Sequence, residues 1–206
     1  MNTQPAPARL TDRKRAAILE AAVAEFRASG YETTSMDRIA ARAGVSKRTV
    51  YNHFPSKDVL FAQILEQLWE RSADSLDLAY RRDRPLHEQL RELVDQKLAL
   101  LQDEAFVDLA RVAIAAAIHS PERAQDMVCR MGGREEGLTT WIRAAAEDGR
   151  LKVTDAQFAS MQLQGMVKGF AFWPQITLGQ APLTVAEQQR LAESAVEMFL
   201  AYYGRE

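Results

Sequence analysis

From Thr11 onward the apolar positions recur at the three-and-four spacing of helices, and no stretch shows the two-residue alternation of a half-buried strand. Ile18, Leu19, Ala22, Val23 and Phe26 share one helical face and Gly30 follows as a stop, which predicts a first helix over 11–29. Thr34 or Ser35 can cap the next. With Thr34 as cap, Asp37 takes the third helical position, a capping box with Asp in place of Glu. Met36, Ile39, Ala40 and Ala43 give this short helix its apolar side, and Gly44 ends it. Ser46 caps a third helix, in which Val50 can pack on Val45 ahead of the cap as a hydrophobic staple. Pro55 interrupts after Phe54, and Ser56 caps a fourth helix carried by Leu60, Ile64 and Leu68 to about Ala79. After the polar string from Arg81 to Pro85, the pattern predicts helices at 86–102, 104–118, 122–147, 155–178 and 185–203. Breaks fall at Ser120-Pro121, at Gly149 and from Gly179 to Pro182. The expected fold class is all-α with about nine helices. A tail over 1–10 precedes a helix-turn-helix unit over 11–72 and a larger helical body over 73–206.

Composition leaves that picture intact. The chain has 206 residues, 47% hydrophobic and 26% charged, the balance of a soluble globular protein. Cys129 is the single cysteine, which excludes an intramolecular disulfide and a thiolate zinc cluster, and it reads as a small buried hydrophobe. That usage fits a reducing compartment, so the expected location is cytoplasmic. Met1–Leu10 lacks the apolar run of a secretory signal, and no stretch approaches the roughly 18 apolar residues of a membrane helix.

Charge changes the picture. A net charge of −2 argues against nucleic acid, but its distribution argues the other way. Residues 1–57 hold ten Lys or Arg against five Asp or Glu, whereas the remainder holds sixteen against twenty-three. Such a basic end on an acidic body is the electrostatic footprint of a small nucleic-acid-binding module.

A helix-turn-helix places one helix across the phosphate backbone and projects the N-terminal half of the next into the major groove, where base edges carry a readable donor and acceptor code. The outward face of that second helix must be polar. Here the third helix offers Lys47, Arg48, Thr49, Tyr51, Asn52 and His53, while Val50 and Phe54, one turn apart, face inward. Thr34 and Lys57, each near a helix start, combine a side-chain donor with free backbone amides and suit phosphate oxygens, as do Tyr51 and His53. Arg48 and Asn52, also a turn apart, suit guanine and adenine edges respectively.

The run Ile18-Leu19-Glu20-Ala21-Ala22, Phe26, Gly30-Tyr31, Thr34-Ser35-Met36, Ile39-Ala40, Ala43-Gly44-Val45-Ser46-Lys47, Thr49, Tyr51, His53-Phe54, Ser56-Lys57 and Leu60-Phe61 resembles the DNA-binding domain of TetR-family regulators over about sixty residues. The resemblance implies a three-helix DNA-binding domain, a connecting fourth helix and a C-terminal body that dimerises and binds ligand. It implies base contacts from Lys47, Arg48, Thr49, Tyr51 and Asn52, and phosphate contacts from Thr34, Ser46, Tyr51, His53 and Lys57. The segment from Gly165 to Gly179, with Gly169-Phe170-Ala171-Phe172-Trp173-Pro174, is similar to the C-terminal domain of the AefR-like subgroup. The expected partners are double-stranded operator DNA, a second copy of the chain and a small apolar effector, with no membrane and no cofactor.

An effector cavity needs mostly apolar walls and a few polar groups to orient the ligand. Phe106, Trp141, Met161, Met166, Phe170 and Trp173 are the apolar candidates, with Phe158, Phe172 and Met131 behind them. His119, Gln162 and Gln164 are the polar ones. Ala192, Ala195, Val196, Phe199 and Tyr202 in the last helix would leave apolar surface if packed on one side only, where the resemblance implies a four-helix dimer interface; the alternative is the core of a monomer. Two other readings compete: a helical ligand-binding protein whose DNA-binding end is vestigial, and an all-α enzyme. The second lacks a His-Glu-x-x-His motif, a phosphate-cradling glycine loop and a nucleophile with a local signature.

Overall fold

The computed structural model describes residues 10–74, 78–131 and 137–205, with the side chains of 10, 72–74 and 127–131 left out. The tail over 1–9, the Cys129 side chain and the contribution of Met131 therefore lie outside the described residues. Close contacts divide the chain into two units. One is the chain through Gln67 together with Arg111–Met127, and the other is Leu68–Ala110 with Val128–Glu206.

In the first unit, α1 (Leu10–Ser29), α2 (Met36–Arg42), α3 (Lys47–His53) and the start of α4 (Lys57–Asp74) surround one apolar centre. Ile18, Ala22 and Phe26 from α1 are buried there with Ile39 and Ala40 from α2, Val50 from α3, and Leu60 and Ile64 from α4. Each of the larger of these side chains contributes about 1.5–3 kcal/mol when fully removed from water. Glu25, buried on α1, ties it to α2 through Arg38 at 2.8 Å and Arg42 at 3.1 Å. Ser35, not Thr34, caps α2 by accepting from the Arg38 amide at 3.3 Å. Gly44, at φ +65, turns the chain out of α2 in a left-handed conformation that side chains with a Cβ rarely adopt. Parts of α6 (Glu104–Ile118) and α7 (Pro121–Met131) also belong to this unit.

The second unit is built on α5 (Leu86–Gln102), α9 (Ala156–Ala171) and α11 (Val185–Tyr203), which pack on one another, with α8 (Gly137–Glu147) and α10 (Trp173–Leu178) against α9. Its core holds Leu90, Leu93 and Leu98, Trp141 and Ile142, Leu163 and Val167, and Val196 and Phe199. Gln89, completely buried, satisfies its amide by accepting from the Arg81 amide at 2.8 Å and donating to the carbonyls of Arg81 and Arg84 at 2.8 and 3.0 Å. A buried amide left unpaired would cost about 1–3 kcal/mol. Thr184 and Glu187 form a complete capping box at the start of α11.

The protein is all-α, as expected, with eleven helical segments among the described residues. The helix expected over 155–178 divides because Pro174 lacks an amide hydrogen and its ring would meet the Phe170 carbonyl, so α9 ends at Ala171 and α10 restarts with Pro174 in its first turn. Within the helix expected over 122–147 the described residues form α7 and α8, and 132–136 lie outside the described residues. The fourth helix ends short of Ala79: residues 78–80 are not helical, and Tyr80 turns its ring edge-on to Trp141 at 5.9 Å and donates to Asp148 at 2.6 Å.

Candidate nucleic-acid interface

Two short helices and the turn ahead of them make the surface of interest. Ser46 opens α3 by accepting from the Thr49 amide at 3.1 Å, and its hydroxyl also pairs with that of Thr49 at 2.8 Å. Replacing such a cap by alanine costs about 0.5–2 kcal/mol. The cap sets the helix so that Val50 and Phe54 are buried while Lys47, Arg48, Tyr51 and Asn52 are exposed, with Thr49 and His53 half-buried. Lys47 pairs with Asp37 of α2 at 2.5 Å, but both groups are solvent-exposed, so the pair is weak and readily exchanged for another anion. Arg48 and Asn52 therefore share an open face with the N-terminal end of α3, the arrangement direct base reading requires.

Two expected phosphate donors sit differently. Thr34 is only 3% exposed, and its hydroxyl is directed inward to the carbonyls of Gly30 at 2.8 Å and Glu25 at 3.2 Å. The Lys57 ammonium donates to the carbonyls of Tyr31, Glu32 and Thr34 at 2.7, 3.2 and 3.1 Å and lies 4.4 Å from the Tyr31 ring centre. An ammonium has three donors, and here each has a carbonyl. Lys57 thus holds the turn over 31–34, and its alanine variant is expected to lower the thermal midpoint as well as DNA affinity, readable by circular dichroism and by titration with duplex DNA.

Tyr31 is the hub of that turn. Its ring packs 5.2 Å from Phe26 and 5.0 Å from Phe61, and its hydroxyl donates to Asp58. Burial, and then the bond to Asp58, push the hydroxyl above the ordinary tyrosine range. Arg123 of α7 lies 3.9 Å from the ring centre and bonds Glu32 at 2.7 Å, which holds the Glu32 carboxyl below its usual range. Neither Tyr31 nor Arg123 was singled out by residue type, because their meeting joins positions 92 apart in the chain.

The expected effector residues differ widely in burial. His119 belongs to the first unit and the other candidates to the second. Trp141 is 1% exposed in the core, Phe106 is buried with its ring 6.4 Å from Phe172, and Met166 is half-buried. Met161, Gln162, Phe170, Trp173 and His119 are exposed instead. A pattern of large apolar residues on a helix does not say whether they face inward, and here Phe158, Met161, Phe170 and Trp173 face outward. A pocket in this unit is lined by Leu93, Val94, Lys97, Leu138, Leu163, Gln164 and Val167 and has a volume of about 10 Å³, room for about one water. Buried Lys97 falls midway between Leu93 and Leu101 at helical spacing, so its inward position was readable in the sequence. Among the described residues no group of three or more His, Cys, Asp or Glu could hold a metal ion, and no helix is long and apolar enough to cross a membrane.

Residues 18–64 match the family described as bacterial regulatory proteins, tetR family, and residues 88–205 match the AefR-like transcriptional repressor, C-terminal domain. The chain is 31% identical to the HTH-type transcriptional regulator YhgD of Bacillus subtilis, over 67% of this chain and 69% of that one. A crystal structure of a TetR family transcriptional regulator from Pseudomonas syringae pv. tomato superposes with a TM-score of 0.86 at 52% identity, covering 96% of this chain and 100% of that one. The flavonoid-responsive regulator FrrA superposes with a TM-score of 0.69 at 25% identity, covering 95% and 99%.

Proposed function

This chain belongs to the TetR family of bacterial regulators, with an AefR-like C-terminal domain, and is a DNA-binding transcriptional regulator, from which we propose that it is a repressor that binds an inverted-repeat operator as a dimer and leaves it when a small apolar effector binds the helical body. The observation that carries the DNA part of this reading is the open face of α3, where Arg48 and Asn52 stand a turn apart beside Lys47 and Tyr51 while Val50 is sealed inside. A two-fold dimer presents two such helices about one DNA turn, or a multiple of it, apart. Thr34, Ser46, Thr49, His53 and Lys57 complete the contact zone: the first and last hold the turn ahead of α2, and the others border the reading face.

The repressor reading is supported by the AefR-like match, whose description is of a repressor. Effector control is supported by the likeness to a regulator described as flavonoid-responsive. Release by a factor of about a hundred needs a preference of roughly 2.7 kcal/mol for the non-binding arrangement, and DNA must then weaken effector binding by the same factor.

The test is selection of duplexes from random DNA by the full chain, followed by footprinting. An inverted repeat protected on both halves is the expected result, and protection of a single half-site by one protomer would overturn the dimer reading. On the selected duplex, Arg48→Ala should relax preference at particular base pairs, at about 1–3 kcal/mol each. Uniform weakening with unchanged base preference would instead place Arg48 on phosphate.

A further inference from the structure

We propose that Arg123 is a positioning residue for DNA binding, holding from α7 the turn that sets the start of α2. The inference rests on the reading that α2 and α3 meet DNA, and it goes beyond that reading by assigning a role to a residue far from either helix in sequence. The turn over 31–34 leads directly into Ser35, the cap of α2, so its placement fixes where α2 begins. Two cations grip it. Lys57 of α4 binds its carbonyls, and Arg123 of α7 lies 3.9 Å from the Tyr31 ring centre while bonding Glu32 at 2.7 Å.

The contacts differ in weight. Glu32 is 70% exposed, and an ion pair to so exposed a carboxylate contributes little. The ring contact is the stronger one, because Tyr31 is buried and a cation over an aromatic face is attracted by the ring electrons. Arg123 is 91 residues beyond Glu32, on a helix whose residues after Met127 belong to the second unit. The recognition helices are in this sense completed by a residue that the first seventy positions do not contain.

The experiment uses the full chain and a duplex that the wild type has selected from random DNA, titrated by fluorescence anisotropy over a salt series. Thermal unfolding is followed in parallel. Arg123→Ala should lower affinity about tenfold with an unchanged log–log salt slope, since a positioning residue releases no counterion of its own. Arg123→Lys, which keeps the charge over the ring, should recover affinity to within about threefold of wild type. Glu32→Gln should change affinity less than Arg123→Ala does, and adding it to Arg123→Ala should lower affinity no further. Unchanged or tighter binding by Arg123→Ala would overturn the proposal. So would a loss accompanied by a shallower salt slope, which marks a direct phosphate contact, or a loss that lysine does not repair and that tracks a fall in thermal midpoint. A wild type that selected no duplex would remove the DNA reading and this inference together, a result distinct from equal selection by both proteins.

Discussion

Trp141→Ala is expected to destabilise the protein by about 3–5 kcal/mol, the range for truncating a large buried aromatic. The indole is 1% exposed, stands edge-on to Tyr80, and directs its N–H toward the Gln89 carbonyl oxygen at 3.4 Å. Its removal opens a void beside a buried amide that binds the chain at Arg81 and Arg84, so the cost includes lost packing and a loosened polar network. For a chain of this size that corresponds to a fall in thermal midpoint of roughly 6–20 °C. A scan showing a shift under about two degrees would mean that the site is already loose, as expected of an effector cavity wall and not of a core.

Met161→Arg is expected to leave the protomer folded and to weaken its dimer at least about a hundredfold, because an unpaired charge buried in an interface costs several kcal/mol. Met161 is 63% exposed on α9, and Phe158, Met198 and Tyr202 of α9 and α11 are exposed as well. Phe158 and Tyr202 line the same groove, and Tyr203 bonds Gln162 across the two helices. An apolar face shared by two packed helices marks an interaction surface, whereas isolated exposed apolar residues carry no such meaning. A two-fold dimer would bring the two introduced guanidinium groups toward one axis, doubling the penalty. Sedimentation equilibrium reads the dissociation constant directly, and protection of the inverted repeat should fall with it. A Met161→Arg protein that stayed dimeric at micromolar concentration would show that α9 does not form the interface.

Local chemistry determined much of the fold in advance. Helix-period patterning over the first sixty residues, Ser46 ahead of α3 and the left-handed Gly44 specify short helices and their ends through interactions that span a few residues, so they are legible in any window that contains them. The open polar face of α3 follows from the same spacing once Val50 is assigned inward. Pro174 was a legible break as well, outweighed by the long apolar run on either side of it. The alternation of apolar and polar positions could not decide what large apolar residues of the C-terminal body face. Trp141 and Met161 look alike in composition, yet one is enclosed by α5 and α9 and the other stands in solvent. Likewise, Lys57 and Thr34 were legible as polar groups at helix starts, but only the tertiary structure directed them to backbone carbonyls in and around the turn over 31–34. The sequence by itself determined most of the helices, their caps and the polar face of α3, because those depend on neighbours within a turn or two. The tertiary structure decided the destination of each long side chain and the meeting of Arg123 with Tyr31, because contacts between distant positions depend on how whole helices pack.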